Sequence, residues 1–336
     1  MKSSAIAHSN IALIKYWGNW SKVSPELNIP LNDSVSMTKY GLSQNCRLQT
    51  HTTIEFSEEL REDTAILNNN LLKGRDMIRI LKIIDPLRKL KKIDYKFKMV
   101  SLNDFPTQAG LASSAAGFAA LTIAAAKALN LDLTKEQLST FARLGSGSAA
   151  RSIHGGFVYW FRGTSHETSH AEQICGPDEF HIKSIITVID KGRKDVPSDV
   201  GHKLAKTSIF NKVRVKKSHE QAIEIKDAIL NDDFKKVGMI AEKNCLFMHS
   251  IMMTSEPPLF YWNPITLKVI KKVIELRKSE DLECFFTIDA GPNVHCLCRP
   301  ELIDYLQNIL ENIEGVEKTI LVKPANDSYT TNEHLF

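Results

Sequence analysis

The sequence predicts an α+β protein built in two halves, and three patterns support this fold class. Short runs with strand character lead the first half, and helices are inserted between them. Two long helical stretches dominate the start of the second half, and a β-α-β unit follows near the end. A polar stretch over residues 162–181 separates the two patterns. We therefore expect an N-terminal domain over 1–180 and a C-terminal α+β domain over 181–336.

Alternation of apolar residues predicts the strands of the first half. These strands are expected at 11–14, 34–38, 43–56, 95–102 and 157–161, with a strand and hairpin turn over 63–70. Helical spacing over 74–92 is expected to be interrupted at Pro86, because proline lacks the backbone donor. Thr134 and Gln137 form a predicted capping box for a helix that ends near Leu144.

The second half is predicted from the same signals. Strands are expected at 179–190, 285–290, 294–299 and 318–322, and helices at 202–230, 232–249, 264–278 and 300–314. Cys296 and Cys298 follow His295 in an alternating apolar run, which favours a strand with buried thiols over a metal site. The strand that ends at Ala290 carries Asp289, an acid that suits either catalysis or an ordinary turn.

The composition is that of a globular protein with a sizeable core: 336 residues, 43% hydrophobic and 24% charged. The net charge of +4 is spread along the chain, so we expect no nucleic-acid partner. No apolar run is long enough for a membrane span or a signal peptide. The six scattered cysteines favour free thiols in a reducing compartment, and a cytoplasmic location is expected.

A polar turn over 105–114 runs into an Ala-rich segment that predicts a helix from Ala115 to Leu129. Ser113 and Ser114 occupy the expected N-cap. The unpaired N–H groups and the dipole of a helix start attract phosphate, so a phosphate-binding loop is one interpretation. The other is a core helix behind an ordinary capped turn, because the spacing matches neither common glycine-rich nucleotide motif.

A second Gly/Ser-rich stretch, over 145–156, contains one arginine, Arg151. Small residues, hydroxyl groups and a guanidinium suit a carboxylate or phosphate cradle, although a merely flexible loop would have the same composition. Lys15 and Tyr16 end the first predicted strand. They fit an anionic ligand as well as they fit a snorkelling lysine beside an interface aromatic ring.

Four of these segments together resemble a known family. They are the runs over 10–18, 106–117, 145–156 and 289–293, and they resemble the diphosphomevalonate decarboxylases of the GHMP kinase superfamily. The resemblance extends in order from about residue 5 to 325. It implies the GHMP kinase fold, with an N-terminal domain like domain 2 of ribosomal protein S5 and a ferredoxin-like C-terminal domain. It also implies a homodimer.

The resemblance implies an enzyme that decarboxylates (R)-5-diphosphomevalonate to isopentenyl diphosphate in isoprenoid biosynthesis, with ATP as co-substrate and Mg²⁺. Asp289 matches the family's catalytic aspartate, and Arg151 matches the arginine that holds the substrate carboxylate. A tertiary hydroxyl is a poor leaving group, so its phosphorylation by ATP precedes loss of phosphate and carbon dioxide. Phosphoryl transfer is mostly positioning and charge neutralisation, which explains the small set of reactive groups.

The same resemblance implies the residues that bind the two substrates. Phosphorylated mevalonate would contact Lys15, Tyr16, Trp17, Gly18, Asn19, Arg75, Ser146, Gly147, Ser148, Ala149, Ala150, Arg151 and Asp199. ATP would contact Ala109, Gly110, Leu111, Ala112, Ser113, Ser114 and Lys194, and Ser114 would lie near the Mg²⁺ ion.

Two departures from the family pattern fall near the expected diphosphate. Asn19 stands where the family usually has lysine, and Asp199 stands where threonine or arginine is common. A carboxylate about 5 Å from a phosphate opposes it by roughly 3 kcal/mol at an effective dielectric of about 20. That cost would be severe for diphosphate affinity unless Asp199 turns outward or pairs with a nearby base such as Lys194 or Lys203. A third change, Asp33 in place of serine, is milder.

These departures leave alternatives open. One is a related enzyme that decarboxylates mevalonate 5-phosphate, or that only phosphorylates the 3-hydroxyl group. Another is a ligand-binding or sensor protein on the same fold. The presence of Asp289 and Arg151 argues against both a pure kinase and a sensor.

Overall fold

The computed structural model describes residues 1–20, 25–105, 113–189 and 196–336. In these residues the strands are β1 (Lys2–His8), β2 (Asn10–Ile14), β3 (Ser34–Thr38), β4 (Tyr40–Gly41), β5 (Gln49–Ser57), β6 (Thr64–Leu67), β7 (Asn70–Leu71), β8 (Lys96–Asn103), β9 (Phe157–Trp160), β10 (Ala171–Cys175), β11 (Lys183–Val188), β12 (Cys284–Thr287), β13 (Val294–Cys298), β14 (Lys318–Lys323) and β15 (Tyr329–Thr331). The helices are α1 (Arg75–Lys91), α2 (Ser113–Ala128), α3 (Lys135–Gly145), α4 (Ser198–Leu204), α5 (Asn211–Leu230), α6 (Phe234–Met253), α7 (Pro264–Ser279) and α8 (Ile303–Glu311). This mixture of helix and sheet confirms the predicted α+β class.

The strands form a six-stranded sheet in the order β15-β1-β5-β8-β6-β7, a four-stranded sheet β10-β9-β3-β2 and a five-stranded sheet β12-β13-β11-β14-β4. The pairs are antiparallel except for β6 with β8. β15 pairs with β1, and β4 pairs with β14, so strands from one half of the chain extend sheets of the other. The domain boundary between 180 and 181 stays a prediction.

The cores lie on the faces of these sheets. Helices α1, α2 and α3 bury one cluster against the six-stranded sheet, including Ile54, Phe97 and Ala120. The five-stranded sheet is buried on both faces, because successive residues of a strand point to opposite sides. Ile186 faces a core shared with the four-stranded sheet, α5 and α6, whereas Ile185 faces α7 and α8.

Several local predictions are confirmed. Thr134 accepts a hydrogen bond from the backbone of Gln137, whose side chain accepts one in return, so the capping box starts α3. Asn68 and Asn69 both have positive φ, of 47° and 65°, and make the tight turn between β6 and β7. The cysteines are all free thiols.

Other predictions are wrong. Helix α1 runs through Pro86 without interruption, because Ile83, Ile84 and Leu87 on both sides of it are buried in one core. Ser113 and Ser114 lie inside α2 and not at a cap before it. Residues 147–152 form a 3-10 helix, so the alternative interpretation of this stretch as a merely flexible loop is wrong. The predicted 202–230 helix is two helices, α4 and α5, joined by a short 3-10 turn over 205–207.

Candidate active site

A single cleft of about 720 Å³ gathers most of the predicted site residues. Its walls come from the end of β2, the first turns of α1, α2 and α4, the 3-10 helix over 147–152, and the loop after β12. Predicted residues on its walls are Tyr16, Trp17, Asn19, Arg75, Ser113, Ser114, Ser146, Gly147, Ser148, Arg151, Asp199 and Asp289.

The floor of the cleft holds an ion pair between Lys15 and Asp289. Lys15 Nζ donates to Asp289 Oδ1 at 2.7 Å and to the backbone oxygen of Ala12, also at 2.7 Å. The Lys15 side chain is almost completely buried, whereas about a third of the Asp289 side chain (33%) is exposed. The backbone N–H of Lys15 donates to Asn244 Oδ1 at 2.8 Å, so α6 fixes this end of β2. The lysine therefore orients the carboxylate from behind.

The charge of this carboxylate is set by two opposing effects. Burial raises the pKa of Asp289, but attraction to Lys15 and the hydrogen bond from it outweigh that effect and lower the pKa to about 2. Asp289 is thus an ionised hydrogen-bond acceptor at neutral pH. It faces a cleft that also holds a buried guanidinium.

That guanidinium is Arg151, which is 3% exposed. Its two terminal nitrogens donate to Ser34 Oγ at 3.0 Å and to Asn10 Oδ1 at 3.3 Å. Its Nε has no hydrogen-bond partner among the described residues, and its Cζ lies 5.4 Å from the Trp160 ring centre. Burial lowers the pKa of Arg151 to about 10, so the group remains charged at neutral pH. Within the described chain no carboxylate forms an ion pair with it, and a buried charge without one favours an anionic ligand.

Aromatic packing shapes the wall beside Arg151. The Tyr16 ring lies 4.8 Å from Trp160 and 4.2 Å from His202, measured between ring centres. A Cβ at position 147 would lie 2.6 Å from the Tyr16 ring, so only glycine fits at Gly147. Gly18 has a φ of 98°, and its backbone N–H donates to His202 Nδ1 at 2.8 Å.

The mouth of the cleft is built differently. Arg75, the first residue of α1, forms an ion pair with Asp199 in the first turn of α4, and both side chains are about half exposed (51% and 52%). Asp199 therefore pairs with a base, which is one of the two arrangements considered for it, but the base is Arg75 and not Lys203. Lys194 lies outside the described residues. The Asn19 side chain accepts a hydrogen bond from Tyr16 and donates to Asn28 at 3.2 Å.

Serine hydroxyls line the end of the cleft at α2. Ser114 Oγ lies 3.4 Å from Ser146 Oγ, which lies 3.2 Å from Ser148 Oγ. The predicted ATP contacts Ala109, Gly110, Leu111 and Ala112 lie outside the described residues. Ala149 and Ala150 are buried in the packing around the 3-10 helix and do not line the cleft. Where the chain is described, no group of three His, Cys, Asp or Glu side chains suits a metal ion.

Sequence reasoning missed the side chains that hold the predicted residues in place. Asn10 and Ser34 orient Arg151, and His202 packs on Tyr16 and Trp17. The third departure, Asp33, is buried away from the cleft. The Tyr159 hydroxyl and His219 Nδ1 each lie 2.7 Å from Asp33 Oδ2. No local signal marks these partners, since each contact joins distant segments of the chain.

Two family models match this chain, and together they span most of it. Residues 7–171 match the diphosphomevalonate decarboxylase-like N-terminal domain, and residues 184–333 match the mevalonate 5-diphosphate decarboxylase C-terminal domain. The chain belongs to the diphosphomevalonate decarboxylase family. A relative from Debaryomyces hansenii named diphosphomevalonate decarboxylase is 38% identical over 87% of this chain and 78% of its own length. A Haloferax volcanii relative named phosphomevalonate decarboxylase is 30% identical over 95% of both chains.

Solved structures of the family share the fold. The mevalonate diphosphate decarboxylase of Staphylococcus aureus is 36% identical, with a TM-score of 0.89 over 98% of both chains. A second structure, described as MDDEF in complex with MVAPP, AMPPCP and magnesium, is 34% identical, with a TM-score of 0.88 over 99% of both chains. The GHMP kinase fold expected from the sequence is therefore confirmed. None of the described helices is long and apolar enough to span a bilayer.

Proposed function

We propose that this protein catalyses the ATP-dependent decarboxylation of (R)-5-diphosphomevalonate to isopentenyl diphosphate, with release of ADP, phosphate and carbon dioxide. The observation that carries the proposal is the floor of the cleft. An ionised carboxylate held by Lys15 faces one cavity with the start of α2 and with the guanidinium of Arg151, which forms no ion pair with a described carboxylate. Relatives across the family carry the corresponding name.

Asp289 would accept a hydrogen bond from the 3-hydroxyl group and orient its oxygen toward the γ-phosphate of ATP. With a pKa of about 2 it is a weak base, so its main contribution is orientation and charge. Lys15, which donates to the same carboxylate, would fix its rotamer before substrate binds. Fixed geometry of this kind lowers the entropy cost of reaching the transition state.

Arg151 would bind the substrate carboxylate with its planar fork. After phosphoryl transfer, the bond between C3 and the phosphorylated oxygen breaks and its electron pair leaves with phosphate. Positive character at C3 then draws the electron pair of the bond to the carboxylate carbon into the new double bond, and carbon dioxide departs. The Asp289 charge, on the floor of the same cleft, would stabilise that positive character.

ATP would lie toward α2, where Ser113 and Ser114 line the cleft. We propose Ala109, Gly110, Leu111, Ala112 and Lys194 as further contacts on the family resemblance. Hydroxyl oxygens suit Mg²⁺, which takes much of its coordination from substrate phosphates and water, and the lack of a described carboxylate cluster fits this arrangement. Ser114 is the proposed ligand, and Mg²⁺ would supply neutralisation of phosphate charge.

Decarboxylation of mevalonate 5-phosphate is a second candidate. The observation that favours it is the mouth of the cleft, where Asp199 occupies Arg75 and Asn19 brings no charge. Compared with a mouth that has lysine at position 19 and no acid at position 199, this mouth offers less positive charge to a diphosphate. The Haloferax volcanii relative named phosphomevalonate decarboxylase spans nearly the same length as this chain.

A side-by-side assay separates the two candidates. Purified protein with ATP and Mg²⁺ is given each substrate, and release of carbon dioxide is followed as kcat/KM. The proposal expects turnover of the diphosphate with the higher kcat/KM. Turnover of the monophosphate alone would replace it with the second candidate.

We also propose a cytoplasmic homodimer, on the family resemblance alone. Light scattering coupled to size-exclusion chromatography should give about twice the chain mass of 37.8 kDa. A monomer at all concentrations would contradict this part of the proposal.

A further inference from the structure

Helix α5 carries a buried polar face where a core-facing helix would normally be apolar. Its members are Asn211, Arg214, Ser218 and Gln221, which recur at a spacing of three or four residues and are all buried. Further along the same side of the helix, Ile225 lies in the apolar core. Because buried polar groups need hydrogen-bond partners, the polar part of this face is expected to hold another segment of the chain.

That segment is the stretch that follows β2 and reaches the cleft. The Lys15 N–H donates to Asn244 Oδ1 at 2.8 Å, and the Lys15 carbonyl oxygen accepts from Asn32 Nδ2 at 3.1 Å. The Trp17 carbonyl oxygen accepts from Arg214 Nη2 at 2.6 Å. Side chains thus hold this backbone where the ladder of β2 has ended.

Arg214 is joined to the proposed catalytic carboxylate through two intermediate residues. Arg214 Nη2 donates to Asn32 Oδ1 at 3.0 Å, and Asn32 in turn donates to the Lys15 carbonyl oxygen. Lys15 Nζ donates to Asp289 Oδ1 at 2.7 Å. A continuous series of contacts therefore runs from α5 to the floor of the cleft.

A second series of contacts from the same face of α5 ends on the N–H of Lys15. Asn244 Nδ2 donates to Ser218 Oγ at 3.0 Å and to Gln221 Oε1 at 2.8 Å. The Oδ1 atom of Asn244 accepts from Lys15. The polar face thus fixes both backbone groups of the residue whose side chain orients Asp289. Supporting contacts of this kind are what a preorganised site requires.

The stability of the fold does not by itself explain an arginine at this position. The side chain of Arg214 is 4% exposed, and the acceptors that Asn211, Asn32 and Trp17 offer it are neutral oxygens. Its Nη1 atom has no hydrogen-bond partner among the described residues. A buried cation with neutral partners and an unpaired donor costs stability. The residue therefore asks for a functional explanation.

We propose that Arg214 is a positioning residue for the decarboxylation, which fixes the backbone of residues 15–17 so that the Lys15 ammonium group meets Asp289. The inference rests on the proposed function. The same backbone carries two aromatic rings that line the cleft, whereas Arg214 itself is not among the lining residues. Because Arg214 acts through this segment and touches no reacting atom, its effect on turnover is expected to be smaller than that of Asp289.

The test compares Arg214→Lys with the wild type and with Arg299→Lys. Arg299 is a matched control because it also donates to backbone oxygens, those of His181 and Asp232, and lies outside the walls of the cleft. Lysine keeps the charge of Arg214 but loses the planar fork, so the bonds that Nη2 makes should be weakened or lost. We expect kcat to fall about tenfold, the order of one lost hydrogen bond, with the KM for ATP changed less than about twofold. Arg299→Lys should lower the melting temperature and leave kcat unchanged.

A double variant shows whether Arg214 acts along the proposed series of contacts. Asn32→Ser shortens the next member of that series. Combining it with Arg214→Lys should therefore lower kcat little further than the more damaging single change does. Adding Arg299→Lys should leave the effect of Arg214→Lys on kcat unaltered, because the two arginines share no contact.

Hydrogen–deuterium exchange of the protein without substrate gives a readout that does not depend on activity. The N–H groups of Lys15 and Gly18 both donate to side chains, so they should exchange slowly in the wild type. Arg214→Lys should speed their exchange about fivefold, because the segment is held less firmly. Arg299→Lys should leave the exchange of these two groups unchanged.

An arginine with a purely structural role predicts a different pattern, a lower melting temperature with unchanged kcat and unchanged exchange over residues 15–18. That pattern would overturn the inference. If Arg214→Lys does not fold, Asn32→Ser breaks the same series of contacts from the other side, and the same results are expected of it. An inactive wild type would instead refute the proposed function, while exchange would still test the role of Arg214, so the two failures are distinguishable.

Discussion

The two ends of the cleft differ in burial and in how their charges are held. At the floor, the buried side chains of Lys15 and Arg151 donate hydrogen bonds, Lys15 to the backbone oxygen of Ala12 on β2 and Arg151 to the hydroxyl of Ser34 on β3. At the mouth, Arg75 and Asp199 are about half exposed and form an ion pair with each other. Electrostatic interactions at the floor are strong because water is excluded there, whereas interactions at the mouth are screened by solvent. We therefore propose that the floor carries out the chemical step and that the mouth selects the substrate.

The largest effect is expected at Asp289. Asp289→Asn removes the charge but keeps the shape, so kcat should fall at least ~10³-fold because electrostatic orientation of the reacting oxygen is lost. Binding of a non-hydrolysable ATP analogue, measured by calorimetry, should change little. Asp227→Asn, an exposed aspartate on α5, is the control. Activity within tenfold of the wild type would remove Asp289 from the role given to it.

The next largest effect is expected at Arg151. Arg151→Lys keeps a cation but loses the planar fork that matches a carboxylate, so kcat/KM should fall about 10²-fold. Arg151→Gln should fall further, because the charge is lost as well. Steady-state assays at several substrate concentrations check both. Equal activity of Arg151→Lys and wild type would show that a point charge suffices there.

A smaller effect, confined to binding, is expected from Asp199→Ser. The substitution should free Arg75 to contact the diphosphate and so lower the KM for the diphosphate about fivefold. The effect is no larger because an exposed ion pair contributes little free energy. The kcat should stay within about twofold of the wild-type value, because the floor is untouched. Asp76→Ser, an exposed acid beside Arg75 that also lines the cleft, is the matched control. A fall in kcat would erase the division between floor and mouth.

The smallest effect is expected from Asn19→Lys. An added cation on the wall of the mouth should lower the KM for the diphosphate about threefold at low salt, and screening should abolish the gain at high salt. The monophosphate should gain less, because it carries less charge. Measuring both substrates at two ionic strengths checks the prediction. A gain that persists at high salt would indicate a contact other than a screened charge.

Sequence patterns could predict much of the fold but little of the site's geometry. The Thr134 capping box is a local signal, and the structure confirms it. Pro86 carries a strong local signal against helix, yet burial of its neighbours on both sides overrides it. Local rules thus hold where local contacts dominate and fail where tertiary packing decides.

The site joins segments that no spacing rule connects. Lys15 and Asp289 lie 274 residues apart. The family resemblance implied that both belong to the site, but their ion pair was not predicted. The pairing of Arg75 with Asp199 was not predicted, because two half-exposed groups on separate helices give no pattern.

The most direct test of the account is the ratio of carbon dioxide to ADP formed by the wild type from mevalonate 5-diphosphate and ATP. A floor that holds both Asp289 and Arg151 predicts coupled reactions, with carbon dioxide and ADP released in equal amounts. ADP formation without carbon dioxide would mean that the cleft only phosphorylates the 3-hydroxyl group. That result would contradict the central claim that this floor carries out decarboxylation.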